Sequence, residues 1–299
     1  MIYENWMSFI KDETKITQIV IPGAHNAGSY GMKKMAECQK DGVLSQFKHG
    51  VRQFCLRLSE DKNGEIMLAH GVTKGDLFEN ALKDLKEIIE NYPSEILLLD
   101  IREYQPQKFG PVTLKYKADV DKVNAMLTKY IDPEKNAFYD FDKIGDVTIG
   151  DIRKAGKRFI LINEAESYRF SKSCEQILPW DMKVNGMKAE NFRIHATQFF
   201  DTCHTEGLYW FQTQQTPNPF TEVWLTTPLK LDESMRPFFH EIIDRIANTE
   251  SYLSQANIIA GDFMTKDYMK SELILRLNLL KNNVKENAKE EYSEGLKWN

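Results

Sequence analysis

EILLLDI, Glu95 to Ile101, runs through four successive apolar residues before Asp100 and Ile101. A strand with one wet face alternates polar and apolar side chains, so an unbroken apolar run reads as a central parallel strand covered on both faces. Immediately upstream, DLFENALKDLKEIIENYP places Leu77, Phe78, Ala81, Leu82, Leu85, Ile88 and Ile89 on one helical stripe. Asp76 and Glu79 stand at capping-box spacing at its start, and Tyr92-Pro93 ends it. A helix packed on a sheet next to a buried strand is the repeating unit of an α/β fold.

The same alternation continues in both directions. Upstream, Ile19, Val20 and Ile21 read as a buried strand stopped by Pro22-Gly23, QFCLRL (Gln53 to Leu58) alternates, and EIMLA (Glu65 to Ala69) follows Lys62-Asn63-Gly64 as a hairpin or an adjacent strand. Downstream come a helix over Lys115 to Tyr130, strands RFILIN (Arg158 to Asn163) and LYWFQTQ (Leu208 to Gln214), and a helix over Phe238 to Ile246. A last strand, NIIAGDF (Asn257 to Phe263), precedes a closing helix capped by Thr265 and running to Leu280. The pattern favours a single α/β barrel over a doubly wound sheet, and no repeat or linker divides residues 1–299.

The chain has 299 residues and a net charge of −5, with an isoelectric point near 5.8. No bulk basic field draws nucleic acid or anionic membrane, so no nucleic-acid partner is expected. Cys38, Cys55, Cys174 and Cys203 form no CxxC pair and are expected as reduced thiols, and Cys203-His204 lacks the second close pair that a zinc site needs. No stretch approaches the roughly 20 apolar residues of a membrane span. The amino terminus has no apolar core of signal-peptide length, which leaves the compartment open; secretion is expected only if a leader has been removed.

Chemistry enters at the strand ends. His25 follows IVI, Arg57 closes QFCLR, His70 closes EIMLA, Asp100 and Glu103 close EILLLDIRE, and Asp262 closes NIIAG. A lone histidine is more often structural than catalytic, but in a parallel barrel the carboxyl ends of the strands open onto one face, and that face carries the site. Two imidazoles and a guanidinium are what phosphodiester transfer requires: one ring takes the nucleophile's proton, the other protonates the leaving oxygen, and the guanidinium spans the phosphate. A carboxylate such as Asp262 sets one ring's tautomer.

With these residues in place, the chain resembles the phosphatidylinositol-specific phospholipase C X-domain proteins. The matching segments, in the family's order, are NWMS, ITQIVIPGAHNAGSYG, GVRQFCLRL, MLAHG, YPSEILLLDIREY, QTQQTP and NIIAGDF. The resemblance implies a distorted (β/α)8 TIM-type barrel and a reaction in which the substrate's own inositol hydroxyl attacks phosphorus. It implies His25 as general base, His70 as general acid, Arg57 as phosphate clamp and Asp262 as partner of His25, with Asn26 beside the base. Asp100, Glu103, Gln212 and Cys55 are placed along the substrate pocket. A phosphatidylinositol or related lipid headgroup, transient contact with a membrane surface, no cofactor and a monomeric protein complete the expectation.

Three positions depart from the bacterial pattern. Asn26 and Cys55 stand where bacterial relatives carry aspartate, and Asn163-Glu164 replaces a basic residue that helps hold inositol. Glu164 accepts hydrogen bonds from ring hydroxyls but disfavours extra phosphates on that ring. His-Asn also occurs in calcium-dependent eukaryotic relatives, yet a fixed guanidinium at Arg57 repels calcium, so the expectation is the metal-independent branch. The alternatives are a phosphodiesterase for another polyol or glycolipid headgroup, and a pseudoenzyme that binds phosphorylated headgroups. Trp210, Phe211, Phe220 and Trp224 read either as a rim or stacking wall or as core.

Overall fold

The computed structural model describes residues 2–103, 107–109, 112–114, 118–162, 168–172, 174, 176–177, 189–202, 207–216 and 225–297. Strands β1 (Ile21–Ala24), β2 (Gln53–Glu60), β3 (Ile66–His70), β4 (Thr73–Leu77) and β5 (Leu97–Glu103) are interleaved with helices α1 (Val43–Lys48) and α2 (Phe78–Asn91). A short hairpin, β6 (Gln107–Phe109) and β7 (Val112–Leu114), leads to α3 (Val120–Ile131), α4 (Pro133–Asn136), α5 (Ile149–Lys154) and β8 (Phe159–Ile162). Beyond it lie β9 (Gln176–Ile177), α6 (Ala189–Thr202), β10 (Leu208–Gln212), α7 (Pro228–Asn248), α8 (Glu250–Gln255), β11 (Ile258–Gly261), α9 (Met269–Leu280) and α10 (Lys289–Gly295). Among the described residues no helix is long and apolar enough to cross a membrane.

Seven described strands run parallel in the order β8-β5-β2-β1-β11-β10-β9 and curl into the distorted barrel expected from the sequence. The side chains divide by the strand period of two. Phe54, Leu56, Leu97, Leu99, Leu161, Phe211 and Ile259 belong to the apolar layer under the helices. Cys55, Leu98, Ile160, Ile162, Trp210 and Ile258 belong to a second layer that continues into Trp6, Met7, Ile10 and Tyr292. Trp210 and Phe211, each 1% exposed, are therefore core, and EILLLDI is the doubly covered strand that its apolar run predicts.

Several boundaries differ from the expectation. Ile19 and Val20 precede β1, while Pro22-Gly23 lie inside it. Proline serves there because the bond from Arg52 N–H to its carbonyl, at 3.0 Å, asks nothing of its missing donor. Gly23 is needed because a Cβ would sit 2.5 Å from Gln53 Oε1. Asp76 accepts from the N–H of Leu77 and from Asn80 Nδ2 instead of forming a capping box with Glu79. Thr265 donates to Asp41, and α9 starts four residues later, where Asp267 accepts from Met269 N–H.

The departure that builds the site concerns β2 and β3. β2 does not stop at Arg57 but overshoots to Glu60, and β3 returns antiparallel to it through Leu58↔Leu68 and Glu60↔Ile66. Along the same edge of β2, β1 pairs only with Gln53 and Phe54. The stretch Cys55–Arg57 is left between these two partners. The turn after β1 enters it by the bond from Ala27 N–H to Cys55 carbonyl at 2.8 Å. β3, running back, carries His70 toward the same stretch. His70 is thus not at the carboxyl end of a parallel strand, and it reaches the site by a reversal of the chain.

Candidate active site

His25 and Asn26 occupy the turn that follows β1. Asn26 has φ +45°, a left-handed conformation that asparagine tolerates better than most residues. Its carbonyl accepts from both the N–H and the hydroxyl of Ser29, at 2.9 and 2.7 Å, which closes the turn. Asp262 follows β11, the parallel neighbour of β1. Gln39 ties these two turns together: its Nε2 donates to the carbonyls of His25 and Gly261, both at 2.9 Å, and its Oε1 accepts from Met264 N–H at 3.1 Å.

Held in this way, His25 Nδ1 lies 2.7 Å from Asp262 Oδ1. A carboxylate only accepts, so the shared proton sits on Nδ1 and the lone pair is left on Nε2. That Nε2 is buried and has no hydrogen-bond partner among the described residues. His70 stands 6.5 Å from His25 between ring centroids, with the rings near perpendicular at 84°. Its Nδ1 donates to Ala36 carbonyl at 2.7 Å, which puts the ring proton on Nδ1 and the lone pair on Nε2. Burial, then the charges of Arg57 and His25, hold His70 down at about 4, against the Ala36 bond and Asp262, which raise it.

Arg57 lies on β2 two residues from Cys55 and on the same face. It hydrogen-bonds the Cys55 thiol, which burial and then Asp100 push up and which Arg57 and Arg102 pull down. Asp100, 2% exposed, accepts from Arg102 Nε at 2.6 Å. Burial still raises its pKa above the ordinary carboxylate value, with Arg102 as the main opposing charge. Gln212, half-buried at the end of β10, accepts from Gln214 Nε2 at 2.6 Å. The structure thus brings His25, Asn26, Arg57, His70, Cys55, Asp100 and Asp262 to one end of the barrel. Glu103 ends β5, but its side chain lies outside the described residues, as do Glu164, Phe220, Trp224 and the Cys203-His204 pair.

Cys38 is a site residue that strand-end reasoning misses, because it sits in a loop. Its Sγ lies 3.7 Å from Asn26 Nδ2 and 3.8 Å from His70 Nδ1. Burial, then the Asp262 carboxylate, keeps the thiol protonated. Lys270 is a second: it is 4% exposed, ion-pairs with Asp232 and donates to Asp262 carbonyl at 2.5 Å. Its position in the first turns of α9 beside a strand-end aspartate was the available signal. Cys38, Cys55 and Cys174 are free thiols, as the spacing of the cysteines implies.

The barrel is a fold shared with solved phosphatidylinositol-specific phospholipases C. The solved enzyme from Listeria monocytogenes superposes with a TM-score of 0.66 at 16% identity, covering 92% of this chain and 98% of that one. A mutant of the Staphylococcus aureus enzyme superposes with a TM-score of 0.61 at 18% identity over 94% and 97% of the two chains. In sequence, the chain is 33% identical over 106 residues to the 1-phosphatidylinositol phosphodiesterase of S. aureus strain Newman, and 24% identical over 114 residues to that of L. monocytogenes. These alignments cover 33% and 34% of this chain and span about a third of each relative, 34% and 33%. No family model matches.

Proposed function

We propose that residues 1–299 form one barrel domain that cleaves phosphatidylinositol-type lipids without a metal, giving diacylglycerol and a cyclic inositol phosphate. The observation that carries this reading is the His25 and Asp262 pair, which leaves a buried imidazole lone pair 6.5 Å, ring to ring, from a second histidine beside Arg57. His25 Nε2 takes the proton of the inositol 2-hydroxyl, and that oxygen attacks the adjacent phosphorus. Arg57 spans the phosphate oxygens as charge builds on them. His70 gives a proton to the departing glycerol oxygen. Internal attack makes proximity a property of the substrate itself.

A proton donor held near pH 4 is neutral in the free protein at pH 7. The phosphodiester anion supplies the missing partner, raising the affinity of His70 for a proton when substrate arrives. Transient membrane contact is supported by the exposed apolar Met35 and Val72, 40% and 58% exposed, on either side of the Ala36 and His70 contact. Lys33, Lys34 and Lys74 are exposed beside them. The protein acts as a monomer with no nucleic-acid partner.

The test is to incubate the protein with phosphatidylinositol vesicles and with a panel of other glycerophospholipids and glycolipids, following the products by phosphorus NMR. A cyclic phosphate resonance from phosphatidylinositol supports the reading. Turnover of a different headgroup redirects it, and binding without turnover makes the protein a headgroup-binding pseudoenzyme.

A further inference from the structure

Three metal-ligating side chains meet at this end of the barrel, although the sequence places them 237 residues apart at the extremes. His25, Cys38 and Asp262 each offer one ligand atom, and these atoms lie within 4.8 Å of one another. All three residues are buried, at 5, 2 and 4% exposed. In a tetrahedral zinc site, bond lengths of 2.0 to 2.3 Å set neighbouring ligand atoms about 3.5 Å apart.

A second observation points the same way. Asn26 is 2% exposed, and its Oδ1 has no hydrogen-bond partner among the described residues. Its amide head belongs to the cluster, since Nδ2 lies 3.7 Å from Cys38 Sγ. Buried polar atoms are normally satisfied, so this orphaned amide oxygen beside the three donors marks a place prepared for a ligand.

We propose that His25, Cys38 and Asp262 bind a soft divalent cation of the zinc class, with the Asn26 amide oxygen or a water completing four ligands. The donor set selects the metal. A thiolate and an imidazole suit zinc or cobalt, whereas calcium takes six to eight oxygen ligands and finds too few here. Ligation through His25 Nδ1, the nitrogen that faces Asp262, shifts the Nδ1 proton to Nε2; binding also breaks the Cys38 S–H bond, forms a metal–sulfur bond and releases the thiol proton to solvent, with no change of oxidation state. The nearby Arg57 charge weakens the site, and the two anionic ligands offset it.

The consequence for catalysis rests on the function proposed above. A cation held by His25 competes for the imidazole that serves as base, so zinc inhibits turnover and a chelator restores it. The binding itself is read without substrate. Cobalt(II) chloride is titrated into the full chain, and the near-ultraviolet thiolate-to-cobalt charge-transfer band is followed, then displaced by zinc. We expect one cobalt per chain. The band is lost in Cys38→Ser and retained in Cys55→Ser, Cys174→Ser and Cys203→Ser. His25→Ala lowers zinc affinity at least roughly 10²-fold by equilibrium dialysis, as loss of a ligand should. Absence of the band in the wild type, or its survival in Cys38→Ser, overturns the proposal. A protein that forms the band but does not turn over phosphatidylinositol keeps the metal site and loses only the enzymatic reading.

Discussion

Asp262 Oδ1 accepts the Nδ1–H of His25 at 2.7 Å, and the two side chains are only 5 and 7% exposed. The bond joins the turns after the first and last strands of the barrel, and parallel pairing of Ala24 with Gly261 sets its length. It holds the histidine in one tautomer with its lone pair on the buried, unpartnered Nε2.

Removing the ring should therefore cost more than removing its partner's charge. His25→Ala is expected to lower turnover of phosphatidylinositol at least roughly 10²-fold, the scale of a lost general base. Asp262→Asn should fall less, because an amide oxygen still accepts from Nδ1 while contributing no charge. Initial rates on vesicles, with circular dichroism to confirm the fold, decide the order. Wild-type rates in His25→Ala would remove the acid–base pair.

His70 links catalysis to pH through stability. Its folded value is lowered to about 4 from 6.5, so between those limits the unfolded chain binds a proton that the native one refuses. The stabilisation is complete above about pH 6.5 and drains as pH falls toward 4, a loss on the order of 3 kcal/mol for this one group. His70→Gln should flatten that part of the curve. Urea midpoints at pH 7 and pH 4.5, compared between wild type and variant, measure the difference. Equal losses in both proteins would show that the imidazole is not held neutral.

Arg57 tests whether geometry or charge is needed at the clamp. Lysine keeps the charge but cannot present a planar fork to two phosphate oxygens, so Arg57→Lys should lose roughly 10²-fold or more in rate. Cys55→Ser should retain most activity, because burial holds that thiol protonated and the histidines already supply a route. Wild-type rates are expected to survive a chelator. A phosphorus-containing adduct on Cys55 in trapped samples, seen by mass spectrometry, would contradict this assignment.

Much of this was legible in the chain because strand ends carry chemistry in a barrel. EILLLDI, the NIIAG strand before Asp262 and the turn bearing His25 are local patterns, and the structure keeps all three in those roles. The approach of His70 to Arg57 was not local: it depends on β2 running on to Glu60 and on the antiparallel return of β3. Cys38 and Gln39 lie in a loop without periodicity, where no pattern separates a site residue from a solvated one. Arg52 was equally silent; its guanidinium is fully buried on Glu95 and on the carbonyls of Tyr3, Phe47 and Val51. Such partners come from distant segments, and only the folded chain brings them together.

Lys270 joins stability to the site and gives the sharpest separation of the two. Its ammonium group is enclosed between the Asp232 carboxylate and the Asp262 carbonyl. Burial raises Asp232, and Lys270 is the largest charge that opposes it. Lys270→Met strands a buried carboxylate and should cost about 3 to 5 kcal/mol. Replacing both partners, as in Lys270→Met with Asp232→Leu, removes the stranded charge and should recover most of that loss in a urea titration. The Asp262 carbonyl still lacks its donor in the double variant, so the aspartate is less firmly held against His25. Turnover in that protein should stay several-fold below wild type although stability returns. Full recovery of both would show that Lys270 serves only to neutralise Asp232, and recovery of neither would mean that the pair packs the α7 and α9 contact in a way leucine and methionine do not replace.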